Sequence, residues 1–390
     1  MLSNIFKERY GKLLIGFCFV LLLMYLGDGW QSQKAWHQQE RYLTSEEFIK
    51  DFNENREYYV KSYKGETPVY FDSATEYRDA VLTISNESPD EIYYNRPYMT
   101  TMNQFVIVFL FIWGFLSFFV DGRTNFNRFL FALPFSRKHV FHKKLLFIGL
   151  PLTACLVLGL LGHILIEYTM IPARYLAVPL QDVLLSALST LATNLLVFAA
   201  GLLLGVLLGN LFTGVLSVFF TISLGSMGYS FFQCTREFFS FVFLGHGDFL
   251  IPFQTWIDWP QGYVYPWWLL LLYLGLSGLL ILAAEKVFSK ISLENDGDYI
   301  TIPKLRAPVY WLLSLGTWFY LSMISYYPLE IFYRNLYEGY DVSLWNIALR
   351  LGLLLVACLF ISLLLVYPKA LMNWWYKRKN KQISGVNIHP

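Results

Sequence analysis

Two ionisable side chains stand in one apolar stretch of the sequence, where charge is costly. His163 and Glu167 lie four residues apart, a spacing that places both on one face of a helix. Ionisable groups within membrane-spanning helices are rare and usually functional. One interpretation is that His163 and Glu167, with Asn194 of the next apolar stretch, line a polar path for a substrate. Because His163 and Glu167 lie near the predicted outer end of their span, the favoured interpretation is a hydrated pair at the membrane interface.

Two other short motifs bear on enzyme chemistry. The tripeptide Asp296-Gly297-Asp298 has the form of the metal-binding pair of some glycosyltransferases, whose carboxylates hold a divalent ion and a sugar diphosphate. A solvated turn is the alternative for this tripeptide. The run 224–227 does not match the Gly-x-Ser pattern of intramembrane serine proteases, and His246 lies in a loop. The sequence therefore argues against serine protease chemistry.

Two kinds of motif that the sequence lacks also limit the activities expected of this chain. The phosphate-binding loop G-x-x-x-x-G-K-S/T does not occur, because Leu13 follows the one Gly-Lys pair, Gly11-Lys12. Any ATP hydrolysis must therefore belong to another chain. The cysteines form no C-x-x-C pair, so we expect buried free thiols, with neither a metal site nor a disulfide framework. They are Cys18, Cys155, Cys234 and Cys358.

The composition indicates an all-α polytopic membrane protein. Of 390 residues, 56% are hydrophobic and 15% charged, whereas a soluble domain carries roughly 25% charge. Apolar runs long enough to cross a bilayer predict about eight spans. These lie near residues 13–26, 102–120, 145–166, 184–208, 211–232, 267–287, 309–326 and 344–367.

The distribution of charge predicts four regions and their sides of the membrane. Residues 1–30 form an interfacial helix and the first span, and 31–101 a small acidic extracytoplasmic domain. Residues 102–287 form spans two to six, and 288–390 hold a loop, two spans and a basic tail. Lys and Arg concentrate in cytoplasmic loops. Both termini and the basic segment after the second span are therefore predicted to be cytoplasmic.

This basic segment, residues 121–144, contains a short amphipathic pattern. Phe126, Phe129, Leu130 and Leu133 recur at helical spacing, Pro134 ends that helix, and Ser136 is placed to cap the next one. An apolar-faced helix at the membrane surface suggests docking to a soluble partner.

Glycines recur every four residues in the fourth span. Gly201, Gly205 and Gly209 form a stripe of small residues that lets helices approach closely. We expect packing within the subunit, with a subunit interface as the alternative.

The run Leu133-Pro134-Phe135-Ser136-Arg137-Lys138, followed by Lys143-Lys144, resembles the cytosolic loop of ABC-2 type permeases. The resemblance implies that residues 125–133 form a coupling helix that sits in a cleft of a separate ATPase subunit. It also implies re-entrant helices within residues 234–265. The implied contact residues are Phe126, Phe129, Leu130, Leu133, Pro134, Ser136 and Arg137. The sequence departs from the family at residues 121–125, where Asp-Gly-Arg-Thr-Asn replaces its usual Glu and Gly-Thr, and adds two spans to its core of about six.

We therefore expect the transmembrane subunit of an ATP-driven exporter in a bacterial plasma membrane. Alternating access would move a membrane-partitioning substrate, such as a peptide, lipid or drug. The expected partners are the ABC ATPase, a second permease subunit, identical or related, and membrane lipid, with no nucleic acid. This chain would bind no cofactor itself, since ATP and Mg²⁺ would lie on the ATPase. The alternatives are a lipid-processing enzyme that uses Asp296 and Asp298, and a sensor or scaffold with 31–101 as receptor.

Overall fold

The computed structural model describes residues 1–64, 67–84, 102–244, 267–291, 299–325, 328 and 343–367. The Asp296-Gly297-Asp298 motif, most of the predicted re-entrant loop and the basic tail lie outside these residues. The described helices are α1 (Leu2–Leu43), α2 (Glu46–Glu54), α3 (Ala74–Leu82), α4 (Met102–Arg123), α5 (Phe126–Ala132), α6 (Arg137–Met170), α7 (Leu180–Leu207), α8 (Leu211–Ser226), α9 (Gly228–Leu244), α10 (Trp267–Ser289), α11 (Arg306–Ile324) and α12 (Leu344–Val366). Two short strands, β1 (Val60–Lys64) and β2 (Thr67–Tyr70), form an antiparallel hairpin.

Seven of the described helices are long and apolar enough to cross a membrane: α1, α4, α6, α7, α10, α11 and α12. They fit a multi-pass, all-α membrane protein. The predicted fifth span, 211–232, is divided at Met227 into α8 and α9. Gly225, Ser226 and Gly228 surround this break, and such residues favour kinks. Because α8 has 16 residues, it is shorter than the roughly 20 that a straight span needs.

The chain folds into two compact units. One comprises Met1–Gly114, Phe135–Gly201 and Asp258–Glu285, and the other comprises Phe115–Pro134, Leu202–Ile257 and Lys286–Pro390. All contacts described below lie within one unit or the other.

The first unit is built on the pairing of α1 with α6. The sequence predicts that α1 ends near Trp30, yet it continues to Leu43. Its 42 residues extend about 60 Å, twice the thickness of the apolar core of a bilayer. Phe6 lies beside Phe147 and Tyr25 packs on Gly159, so residue numbers rise together along both helices. The two helices therefore run parallel.

A small domain, residues 45–84, covers the C-terminal ends of these two helices. Hydroxyl caps begin its two helices, since Ser45 Oγ accepts the N–H of Phe48 and Ser73 Oγ accepts the N–H of Glu76. Trp36 Nε1 of α1 donates to the carbonyl of Leu82 at 2.9 Å. The domain therefore begins 14 residues later than the predicted boundary at residue 31, because α1 occupies the segment between.

Aromatic rings form much of the core of the small domain. Phe48, Phe52, Phe71 and the partly buried rings of Tyr59 and Tyr77 pack together, with the Phe52 and Tyr59 centroids 4.8 Å apart. Ring pairs of this kind contribute roughly 0.5–1.5 kcal/mol beyond the area that they bury. The hairpin and α3 are thus held to α2 without a disulfide.

The glycines of α7 allow it to touch α4. A Cβ on Gly201 would lie 2.2 Å from the carbonyl oxygen of Phe111, and one on Gly205 would lie 2.2 Å from that of Phe115. These two contacts bring the backbones of α4 and α7 close together and show that the two helices run parallel. Gly209 has a different role, because it follows the end of α7 and its N–H donates to the Tyr299 carbonyl at 3.0 Å.

The second unit contains a helical hairpin, which is formed by α11 and α12. Trp318 Nε1 donates to the Leu351 carbonyl at 3.0 Å, and Tyr310 lies beside Tyr367, so the two helices are antiparallel. Phe231 of α9 stacks on Tyr320 of α11 with ring centroids 4.5 Å apart. These contacts hold α9 against the hairpin.

We predict that Gly205→Ala will destabilise the protein by about 1–3 kcal/mol, because the new methyl group collides with backbone that cannot move freely. Gly275→Ala in α10 is the matched control, since a Cβ there meets nothing within 4 Å. Thermal unfolding in detergent, followed by tryptophan fluorescence, measures both. Equal melting temperatures for the two variants would contradict the close packing of α4 and α7.

The small domain should lose stability in acid. The hydrogen bond from Tyr59 Oη, at 2.5 Å, holds the pKa of Asp51 below its ordinary 3.8, and the hydrogen bond from Lys61 holds the pKa of Glu76 below 4.5. Both pKa values are lower in the folded protein, so this stability is present above the ordinary values and lost as the pH falls through the folded ones.

We therefore predict that Tyr59→Phe will weaken the dependence of the melting temperature on pH between about pH 5 and pH 2. Tyr58→Phe is the control, because Tyr58 is 72% exposed. If both variants keep the parent's slope, the Tyr59–Asp51 hydrogen bond does not set the acid response.

Candidate functional site

Polar side chains are buried where α1 meets α6. His163 is 2% exposed, and its Nδ1 lies 3.5 Å from Asp28 Oδ2 while its Nε2 lies 3.3 Å from Glu167 Oε1. Ser32 Oγ donates to the same Glu167 oxygen at 2.9 Å. The imidazole therefore stands between two carboxylates, one from each helix.

The third residue predicted for the polar path, Asn194, reaches the same stretch of α1. Its Nδ2 donates to Tyr25 Oη at 2.8 Å, and the Tyr25 carbonyl lies 3.4 Å from His163 Nδ1. The structure thus brings His163, Glu167 and Asn194 together around residues 25–32. All three are buried in a helix interface, Glu167 at 4% exposure and Asn194 at 0%, so they do not line an open path in this structure.

The expectation of a hydrated pair is wrong for a structural reason. Because α1 continues past the predicted end of the first span, its face covers His163 and Glu167. Gly29 permits this approach, since a Cβ there would lie 3.3 Å from the His163 backbone. Sequence reasoning missed Asp28, although a carboxylate beside the glycines that end the first apolar run was a usable signal.

The arrangement is suited to holding a proton. A histidine between two carboxylates in a site of low dielectric can share or exchange a proton with either neighbour. Among the residues that the structure describes, no group of three or more His, Cys, Asp or Glu has the geometry to hold a metal ion.

A further buried carboxylate joins the basic start of α6 to α10. Glu285 is 8% exposed, with Oε1 3.3 Å from Lys138 Nζ and Oε2 3.4 Å from His142 Nε2. Part of the predicted basic segment therefore serves packing within the subunit. Lys144 is likewise fully buried, with its Nζ 5.0 Å from the Tyr10 ring centroid.

The predicted short helix of the basic segment is present as α5. Asn125 precedes it in the left-handed conformation, with φ of 58°, which asparagine tolerates better than most residues. Phe129 is 48% exposed, and its ring lies beside that of Phe126 with centroids 5.6 Å apart. Leu130 faces the other way and is fully buried, so it is unavailable to a partner.

The remaining predicted contact residues follow α5. Leu133 ends the helix in an extended conformation, and Pro134 is exposed. Ser136 caps α6 as predicted, because its Oγ accepts the N–H of His139 at 3.3 Å. Arg137 is the first residue of α6. The exposed apolar side chain of α5 is therefore Phe129, with the half-buried Phe126 beside it.

No protein-family model matches this chain, and neither a curated protein nor a solved structure does. The arguments that follow therefore depend on the sequence and the geometry alone.

We predict strong coupling between His163 and Glu167. A double-mutant cycle with His163→Gln and Glu167→Gln should give about 1–3 kcal/mol of interaction energy. The pair is buried, so removing either side chain leaves the other buried without its partner. The exposed pair Lys50–Glu54, with the same i,i+4 spacing and a distance of 3.7 Å, should give less than about 0.5 kcal/mol. Thermal or denaturant unfolding in detergent measures both cycles. Equal coupling energies would refute the special role of burial.

Proposed function

We propose that this chain is the transmembrane subunit of an ABC-2 type transporter, with α5 as the helix that docks on a separate ATPase. The single observation that carries the proposal is Phe129, which is 48% exposed and lies against the half-buried Phe126 on a short helix between two candidate spans. A helix that presents an apolar face at the membrane surface is a ready contact for a soluble partner. ATP and Mg²⁺ would be bound by that partner.

The helix directions support a cytoplasmic position for α5. The N-terminus of α1 lies beside the start of α6. The Lys and Arg residues at the starts of these two helices therefore lie on one side of the membrane. The acidic small domain lies at the opposite ends of the same helices. Because cytoplasmic loops are enriched in Lys and Arg, the cations mark the cytoplasmic side, and α5 lies between α4 and α6 on that side.

The same reasoning supports eight crossings. The C-terminal ends of α4, α7 and α10 border one pocket of the second unit, through Arg123, Val206 and Phe288, so α10 runs in the direction of α4 and α7. The chain must then cross the membrane between α7 and α10. We assign that crossing to the segment of α8 and α9, which together with the α11–α12 hairpin leaves both termini cytoplasmic.

Alternating access would then move α4 and α6 when the ATPase moves α5. The spans present mainly apolar side chains, which favours a substrate that partitions into the membrane, such as a peptide, lipid or drug. We propose export across a bacterial plasma membrane by two such subunits, identical or related. His163, Glu167 and Asn194 would fix the α1–α6 interface during this movement instead of contacting the substrate.

A sensor is the second candidate, and the continuity of α1 favours it. One helix joins the small domain to the basic end, so a ligand on that domain could be reported across the membrane without transport. The sensor needs no ATPase on α5, which separates the two hypotheses.

We predict that an ATPase subunit co-purifies with the parent protein from gently solubilised native membranes and that Phe126→Asp/Phe129→Asp abolishes its capture. Charge on the apolar face should weaken binding at least tenfold, because a carboxylate would be buried unpaired. Tyr58→Asp, on the exposed surface of the small domain, is the control and should retain the partner. Leu130 is left unchanged, since its substitution would disturb the fold.

Mass spectrometry of the captured proteins, with circular dichroism of each variant, measures the outcome. Loss from a folded α5 variant supports the transporter. Absence of any ATPase from the parent would reject the transporter and leave the sensor.

A further inference from the structure

A basic pocket lies in the second unit where three apolar helices end. The C-terminal ends of α4, α7 and α10 surround it, α5 forms one side, and the cavity volume is about 40 Å³. Since the helices stop where their apolar sequences stop, the pocket lies at the depth of lipid headgroups.

Two guanidinium groups line the pocket. They belong to Arg123 and Arg128, which remain charged at any physiological pH. Among the described residues that line it, none is Asp or Glu. Arg123 Nη1 donates to the carbonyl of Gly209 at 2.8 Å, which fixes this side chain through one of its five N–H groups. Guanidinium groups bind phosphate oxygens in pairs of parallel hydrogen bonds, so the pocket suits an anionic phosphoester.

A buried amide in the same pocket indicates that the ligand also carries a hydrogen-bond donor. Asn127 is 7% exposed, lines the pocket, and its Oδ1 is buried without a hydrogen-bond partner. A buried acceptor left unsatisfied costs free energy, and a hydroxyl on the ligand would satisfy it. An ammonium group could also donate, but it would meet the two guanidinium charges and be repelled.

The walls of the pocket are ordered independently of any ligand. Phe288 packs edge-on against Phe118 and Phe131, with ring centroids 5.8 and 5.4 Å apart. The Thr301 N–H donates to the carbonyl of Leu207 at 3.0 Å, which closes the end of α7. Apolar rings and cations thus line the same pocket, as acyl chains and phosphate meet at the membrane surface.

We propose that this pocket binds the headgroup of an anionic phospholipid whose phosphodiester carries a hydroxylated substituent, as in phosphatidylglycerol. Arg123 and Arg128 hold the phosphodiester, and a glycerol hydroxyl donates to Asn127 Oδ1. Basic pockets between membrane helices bind anionic headgroups in this way. The site goes beyond the transport function proposed above and does not require the ATPase.

Native mass spectrometry of the full chain in detergent, titrated with lipid, tests the site. Phosphatidylglycerol should bind the parent protein, and Arg123→Gln/Arg128→Gln should weaken it about tenfold or more. Lys12→Gln/Lys143→Gln removes the same charge from exposed positions outside the pocket and should change affinity by less than about threefold. Arg128→Gln alone keeps the Arg123–Gly209 hydrogen bond, and it replaces the double variant in the titration if the double variant fails to fold.

A second pair of ligands tests Asn127. Phosphatidylmethanol has the same charge but no hydroxyl, so the parent should prefer phosphatidylglycerol by about fivefold, and Asn127→Leu should abolish that preference. Phosphatidylcholine should compete poorly.

Three outcomes would overturn the proposal. Unchanged phosphatidylglycerol affinity in the folded arginine variants would show that the lipid does not bind in this pocket. Equal binding of both anionic lipids by the parent would show that Asn127 does not recognise the hydroxyl group. Displacement by glycerol phosphate at the same concentration as the lipid would show a site for soluble phosphoesters instead.

Discussion

The pairing of α1 with α6 is the contact on which the rest of the structure depends. Lipid chains are as apolar as leucine, so helices in a bilayer associate through close packing and polar contacts. Both kinds of contact are found between α1 and α6. The packing is close at two glycines, because a Cβ on Gly159 would lie 2.6 Å from the Tyr25 ring and one on Gly162 would lie 2.7 Å from the Leu26 side chain. At one end the pair carries the small domain, and at the other it carries the basic start of α6, so one interface fixes what each side of the membrane presents.

The buried cluster of Asp28, His163 and Glu167 gives this interface its register. Shifting α1 by one turn would strand these groups in an apolar setting, which costs several kcal/mol for each ion. We interpret the cluster as a device for alignment, because its members pair with one another inside the helix interface. The same low dielectric makes it sensitive to any substitution that removes one partner.

Local signals in the sequence proved sufficient for much of the fold. Hydroxyl caps at Ser45, Ser73 and Ser136 mark helix starts correctly, and the apolar spacing after Asn125 marks the short helix α5. Prediction failed where tertiary contacts decide. The length of α1 depends on α6 and the small domain, Leu130 points inward because of its packing, and the division at Met227 interrupts an otherwise apolar run. Ser32 joins the cluster only because α1 continues past Trp30, which no local pattern indicates.

The most direct test is which side of the membrane α5 and the small domain face. Single cysteines at Phe129 and Tyr58, in a background where the four native cysteines are replaced by alanine, can be labelled with a membrane-impermeant maleimide in intact cells and again after permeabilisation. We expect the residue 58 thiol to react in intact cells and the residue 129 thiol to react only after permeabilisation. Labelling of both in intact cells would place α5 outside and contradict its docking to a cytosolic ATPase.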